Sequence, residues 1–162
     1  MRSAEIQKII DYNYWANKRL LEPTRQVAQE QFVAPAAFPF GGLRGTLVHI
    51  FDAEYSWRMM LEKGVQTPDT PETGFATAEA LEKKWGEEQA AMRAYVAGLR
   101  DEGLTGVIRY TTSTGIKRER VIWHCLYHVV NHGTQHRSEA AAILTALGRS
   151  PGDMDFTVFL NG

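Results

Sequence analysis

The chain has 162 residues, 44% of them apolar and 23% charged, with a formal net charge of −1 and a sequence pI near 6.5. That length suits one domain around a single core, and the near-neutral charge gives no basic field to gather nucleic acid. One cysteine excludes an intramolecular disulfide framework, and the lack of a leader or of a run of about 18 apolar residues predicts a cytoplasmic protein without a membrane partner.

The first predicted helix covers residues 3 to 30, with Ser3 as a candidate N-cap and an apolar stripe of Ile6, Ile9, Ile10, Ala16, Leu20, Leu21 and Val27. Asn13 and Asn17 fall on the middle of that stripe, where an amide costs free energy unless it is hydrogen-bonded. Pro23 implies a kink or an early end, and residues 33 to 42 read as a loop. A second helix runs from about Leu43 to Lys63 and stops at Gly64. Thr46, His49, Ile50, Ala53, Trp57 and Met60 form one face of it, and the flank of Leu47, Val48, Phe51 and Tyr55 is apolar as well. Pro68, Pro71 and Gly74 mark residues 64 to 76 as a loop.

A third helix spans residues 77 to 101, with Leu81, Trp85, Ala91, Met92, Tyr95 and Leu99 inward. Residues 107 to 112 are β-prone, Ser113-Thr114-Gly115 offers a turn, and residues 116 to 120 can return as a short hairpin. The run Lys117-Arg118-Glu119-Arg120 reads as a solvated edge. The last helix extends from about Arg120 to Leu147, ends at Gly148, and leaves an apolar tail with Met154, Phe156, Val158 and Phe159 to pack back. Cys125, at helical spacing among Ile122, Leu126 and Val129, reads as a buried thiol. The fold class is all-α: a helix bundle.

The last helix carries His124, His128, His132 and His136 at four-residue steps, and the chain has one other histidine, His49. Ile122, Leu126, Val129, Gly133, Ala140 and Leu147 define the inward direction of that helix. With about 100° per residue, His136 lies about 40° from it, His132 about 80°, His128 about 120° and His124 about 160°. His132 and His136 are therefore the pair placed to meet another helix. Two imidazoles one turn apart grip one side of a cation, and a third from a facing helix completes a tripod with open positions for water or substrate. Only His49 can supply it. The competing reading is that these are hydrogen-bonded core histidines at chance spacing.

Around this trio, His128 is either an outer hydrogen-bond partner or a surface histidine, and His124 is exposed. Asn17 and Asn13 are placed either to hydrogen-bond a ligand histidine or a metal-bound water, or to satisfy a carbonyl in the core. Glu54 lies well around the helix from His49 and is not expected to be a fourth ligand. Trp15 reads as a packing or dimer residue. No serine or cysteine triad and no glycine-rich phosphate loop can be assembled, so any chemistry must come from the ion.

The stretch Leu126-Tyr-His-Val-Val-Asn-His-Gly-Thr-Gln-His-Arg137 resembles the C-terminal signature of the DinB-like (DinB/YfiT-like) superfamily of metalloenzymes. Tyr14-Trp15-Ala16-Asn17 and Leu47-Val48-His49-Ile50 through Trp57 resemble its first- and second-helix elements, in the right order over nearly the whole chain. Ser138 departs from the glycine the family often has after His-Arg, though serine is small enough for close helix packing. The resemblance implies a four-helix bundle with an up-down-down-up connection. It implies one divalent ion, often nickel or zinc, held by His49, His132 and His136. It also implies a homodimer, for which the second apolar flank of the second helix would serve.

Relatives in the superfamily include transferases and isomerases that use low-molecular-weight thiols. By resemblance, the ion here would stabilise a thiolate for attack on a small electrophilic substrate or activate water for hydrolysis. The alternative is a non-catalytic metal-binding stress protein, and a third reading is a metal-free scaffold. A cleft beside the ion favours the enzyme; a capped ion favours the alternative.

Overall fold

The computed structural model describes residues 1–112 and 114–162, so the Ser113 part of the expected turn lies outside the described residues. The chain runs α1 (Ser3–Thr24), α2 (Gln29–Val33), α3 (Leu43–Lys63), a 3-10 turn at Glu72–Gly74, α4 (Ala78–Ala97), α5 (Asp101–Leu104), β1 (Val107–Thr111), β2 (Lys117–Val121), α6 (Ile122–Ala146) and α7 (Phe156–Leu160). It is mostly helical, with a two-stranded hairpin just before the last long helix. Among the described residues, no helix is long and apolar enough to cross a membrane.

The first helix ends earlier than residue 30. Pro23 has no N–H to give to the carbonyl one turn back, and α1 closes at Thr24, whose hydroxyl donates to Leu20 O at 2.8 Å. The chain then restarts as α2, which buries Phe32. α4 stops at Gly98 rather than at residue 101, and Thr77 caps its start by accepting from Ala80 N at 3.2 Å. Leu81, Trp85 and Met92 are inward as expected, but Ala91, Tyr95 and Leu99 are half-buried while Glu88 and Val96 take core positions.

The hairpin pairs Val107 with Val121 and Arg109 with Glu119 in antiparallel register, and Gly115 turns it with φ +81°. Lys117 to Arg120 are all exposed, as a solvated edge should be. The tail packs back through α7: Phe159 and Phe156 meet Tyr12, Phe159 meets Trp15, and the Tyr12 hydroxyl donates to Met154 O. Trp15 is thus a packing residue within the chain.

α1 packs on α4 and α6, and α3 packs on the same two helices. Ser3 at the start of α1 meets Leu99 and Asp101 beyond the end of α4, whereas Arg25 just past α1 pairs with Glu82 near the α4 start, so these helices are antiparallel. Phe51 against Trp85 and Arg58 against Glu88 make α3 and α4 parallel. His49 beside His136 and Trp57 beside His128 make α3 and α6 antiparallel.

Because α3 is held between α4 and α6, its buried arc differs from the expected face. Thr46 and Ile50 are buried, but His49, Ala53, Trp57 and Met60 are half-buried; Leu47, Val48, Phe51, Glu54, Arg58 and Leu61 lie inside. Much of the second flank is therefore packed within the chain, with Leu47, Val48 and Phe51 buried and Phe51 against Phe75 and Trp85, while Tyr55 stays half-buried.

The core has two apolar clusters. One gathers Leu20, Leu43, Leu47, Ile50, Trp85 and Leu144; the other gathers Ile6, Ile10, Leu61, Met92, Leu126 and Val130. Between them, at the level of Asn13, Glu54 and Arg137, runs a buried polar layer.

Candidate metal centre

The antiparallel packing of α3 on α6 turns a spacing in sequence into a cluster in space. His132 and His136 stand one turn apart on α6, and His49 reaches them from α3. One ring nitrogen from each of the three lies within 4.8 Å of the others. His132 Nε2 is 2.9 Å from His49 Nε2, and the His136 ring centroid is 4.6 Å from that of His49 and 4.5 Å from that of His132. Nitrogens bound to one tetrahedral ion at roughly 2.0–2.1 Å stand about 3.3 Å apart, so this spread fits a shared cation with small side-chain adjustments. Exposure along α6 follows the geometric ranking: His136 is buried, His132 half-buried, and His128 and His124 are exposed.

The electrostatics favour neutral imidazoles, which are the form that binds metal. Burial pushes the His132 pKa down to about 4, with the neighbouring His136, His49, His128 and Arg137 adding to the effect. Burial also lowers His49, and His136 lowers it further. Among the described residues, His132 Nδ1 is a buried polar atom without a hydrogen-bond partner. The short Nε2 contact between His132 and His49 is attractive only if one of the two nitrogens carries a proton. The three-nitrogen donor set, the lowered proton affinity of His49 and His132, and this orphaned atom together fit a divalent ion.

His136 has its outer nitrogen occupied, since Nδ1 lies 2.8 Å from Glu139 Oε2. Glu139 was not singled out from sequence, although its three-residue step after His136, like the four-residue steps of the histidines, makes the two neighbours on the helix surface. Phe40 was also missed. Its ring stacks on His49 with centroids 3.4 Å apart and meets His136 edge-on at 5.1 Å. Gly42 and Gly45 make this possible. A Cβ on Gly45 would run into the Phe40 carbonyl and one on Gly42 into the Ala34 carbonyl, so only glycines let the loop lie against the start of α3.

Asn17 does not join the histidines. Asn13 and Asn17 each donate to Glu54 Oε1, at 2.7 and 2.8 Å, and each accepts from Arg137 Nη1, at 2.6 and 2.8 Å. Trp85 Nε1 donates to the other carboxylate oxygen at 2.6 Å. Both faces of the Asn17 amide are thus spent on a buried acid and a buried guanidinium, which explains amides in an apolar stripe better than an outer role at a metal. Burial raises the Glu54 pKa, and the three hydrogen bonds and Arg137 oppose that rise. Gly133 belongs to this layer too: a Cβ there would stand 2.7 Å from Arg137 Nη1 and 3.0 Å from Asn13 Oδ1. A sequence signal existed, since Glu54 sits at seven-residue steps between Leu47 and Leu61 on a buried face.

His128 is exposed, stacks edge-on to Trp57 with centroids 5.5 Å apart, and its ring centroid is 5.7 Å from that of His132. Cys125 is buried and its thiol is pushed up to about 11, an unreactive core residue. A cleft of about 340 Å³ opens beside His49, lined by Phe40, Asp52, Asp69, Thr70 and Glu72 among others. A larger one of about 440 Å³ lies between α1 and α4, away from the histidines, and its rim charges are paired as Arg25–Glu82 and Arg93–Asp11. The chemistry of the donor set points to the smaller cleft.

Two comparisons with known proteins agree with one another. The sequence matches the model of the DinB family over residues 1–162. It is similar to Protein DinB of Bacillus subtilis (strain 168), with 26% identity over 160 residues, covering 94% of this chain and 92% of the relative.

Proposed function

Because this chain belongs to the DinB family, we propose that it is a metal-dependent enzyme whose divalent ion, nickel or zinc, is held by His49, His132 and His136. The observation that carries the reading is the convergence of three imidazole nitrogens within 4.8 Å from two helices. When bound, the ion supplies a Lewis acid that lowers the pKa of a coordinated water or thiol. The reaction in this reading is a thiol-dependent transfer to a small electrophile or a hydrolysis, with a low-molecular-weight thiol as cosubstrate in the first case.

The residues divide the work. Neutral His49 and His132 offer lone pairs, Phe40 shields one side of the histidines from water, and the cleft beside His49 supplies room for a substrate. The scaffold in this reading is a four-helix bundle of α1, α3, α4 and α6 with an up-down-down-up connection, supported by the antiparallel α1/α4 and α3/α6 pairs and the parallel α3/α4 pair. A small-molecule substrate and a second copy of the chain are the partners it implies. A non-catalytic metal-binding stress protein is the second reading, favoured by the stacking of Phe40 directly on His49.

Metal quantification tests the centre. Purified wild type is expected to carry near-stoichiometric nickel or zinc after loading, and His132→Ala to lose almost all of it while keeping its circular dichroism. Equal metal in both proteins overturns the centre. Thiol conjugation and ester or amide hydrolysis assays on the loaded protein then decide between the two readings, since turnover lost in His132→Ala is expected only of an enzyme.

A further inference from the structure

Of the three clustered histidines, His136 has a carboxylate on its outer nitrogen. Glu139 Oε2 lies 2.8 Å from Nδ1, with the His136 side chain 6% exposed and that of Glu139 18% exposed. Among the described residues, His132 Nδ1 is buried without a partner. Asp52, the acid nearest His49 in sequence, spends Oδ1 on the Thr70 amide at 2.9 Å. A neutral imidazole has one N–H and one lone pair, and the partner of one nitrogen decides which it is. A carboxylate can only accept, so the hydrogen sits on Nδ1 and the lone pair on Nε2.

We propose that Glu139 is a positioning residue of the histidine centre: it holds His136 in the Nδ1–H tautomer and at a fixed ring angle, committing Nε2 to a cation shared with His49 and His132. The inference rests on the metal reading above. Glu139 shares a helix with both His132 and His136, so the brace and the two ligands form one rigid unit before any ion arrives. Without it the hydrogen is free to move to Nε2, where it blocks the lone pair and must be lost before binding. Outer carboxylates of this kind typically change metal affinity by about 10- to 100-fold when removed.

The test separates the brace from the ion. Long-range proton–nitrogen NMR on ¹⁵N-labelled, metal-free protein at about pH 8, where imidazoles are neutral, reads the tautomer directly. Wild type and Glu139→Gln are expected to show His136 as Nδ1–H, because the glutamine oxygen still accepts. Glu139→Ala is expected to show Nε2–H, with unchanged circular dichroism. In zinc titrations against a competing chelator, Glu139→Ala is expected to bind about 10- to 100-fold more weakly and Glu139→Gln to fall between. An Nε2–H tautomer in the wild type, or a Glu139→Ala protein with wild-type tautomer and affinity, overturns the positioning role while leaving the metal reading intact. A Glu139-dependent tautomer in a wild type that binds no zinc overturns the metal reading and, with it, the commitment of Nε2 to a cation.

Discussion

His132 has two ring nitrogens with unlike surroundings: Nε2 faces His49 at 2.9 Å, and Nδ1 is buried with no partner among the described residues. The neutral ring already carries one hydrogen, and burial, with the surrounding positive groups, resists a second, bringing its pKa down to about 4. The consequence for stability has a definite sign. In the unfolded chain an ordinary histidine binds its proton near pH 6.5, whereas the folded protein refuses it until about 4. Between those values the unfolded state holds more protons, so this residue makes stability fall as pH drops from 6.5 to about 4, and contributes no slope outside that window. Urea denaturation of metal-free wild type and His132→Asn across that range is the check. The stability of wild type relative to the variant is expected to decline on acidification and level off below about pH 4; a constant difference would show that His132 titrates normally.

At the scale of elements, α1, α3, α4 and α6 are fastened by one buried layer. Glu54 from α3 takes hydrogens from Asn13 and Asn17 of α1 and from Trp85 of α4, and the same two asparagines receive Arg137 from α6. Arg137 is the neighbour of His136, so the layer also sets the rotation of α6 that presents the histidines. Removing the acid strands a buried guanidinium, and breaking such an arrangement by deleting one partner typically costs about 3–5 kcal/mol. Glu54→Ala is expected to lose stability on that scale in urea denaturation, and Glu54→Gln less: both lose the counter-charge, but the glutamine oxygen still accepts from Asn13, Asn17 or Trp85 and no cavity is left. Equal small effects of both variants would reduce the layer to filling.

This layer also marks the limit of what the sequence disclosed. The helical runs, the hairpin and the His49/His132/His136 trio were legible because period and spacing express them directly, and the inward ranking of the α6 histidines matches their exposure. What escaped depends on partners far along the chain. Asn17 was visibly out of place in an apolar stripe, but its answer, Glu54 and Arg137, lies 37 and 120 residues away. The orientation of α3 escaped for the same reason: its apolar residues cover more than one face, and only packing against both α4 and α6 chooses which arc is deepest. Phe40 over His49 depends on a loop path set by Gly42 and Gly45, which no periodicity encodes.

Over the whole molecule, a shared ion would be a cross-link between α3 and α6, two helices that meet only after the chain has passed through α4 and the hairpin. His49 and His132 are separated by 83 residues, so the preformed site does not survive unfolding, and binding energy becomes folding energy. Free metal at about one hundred times its dissociation constant adds about 2.7 kcal/mol to the folded state. For a chain of this size, each kcal/mol raises the melting temperature by about 2–4 °C, so the expected rise is about 5–10 °C. Calorimetry with zinc or nickel, and again after adding a chelator, should show that rise and its reversal in wild type. His49→Ala should show neither, because it removes the only ligand from α3 and leaves two imidazoles on one helix that no longer tie it to its neighbour. A metal-dependent rise retained in His49→Ala would place the ion elsewhere and dissolve the link between the histidine trio and the fold.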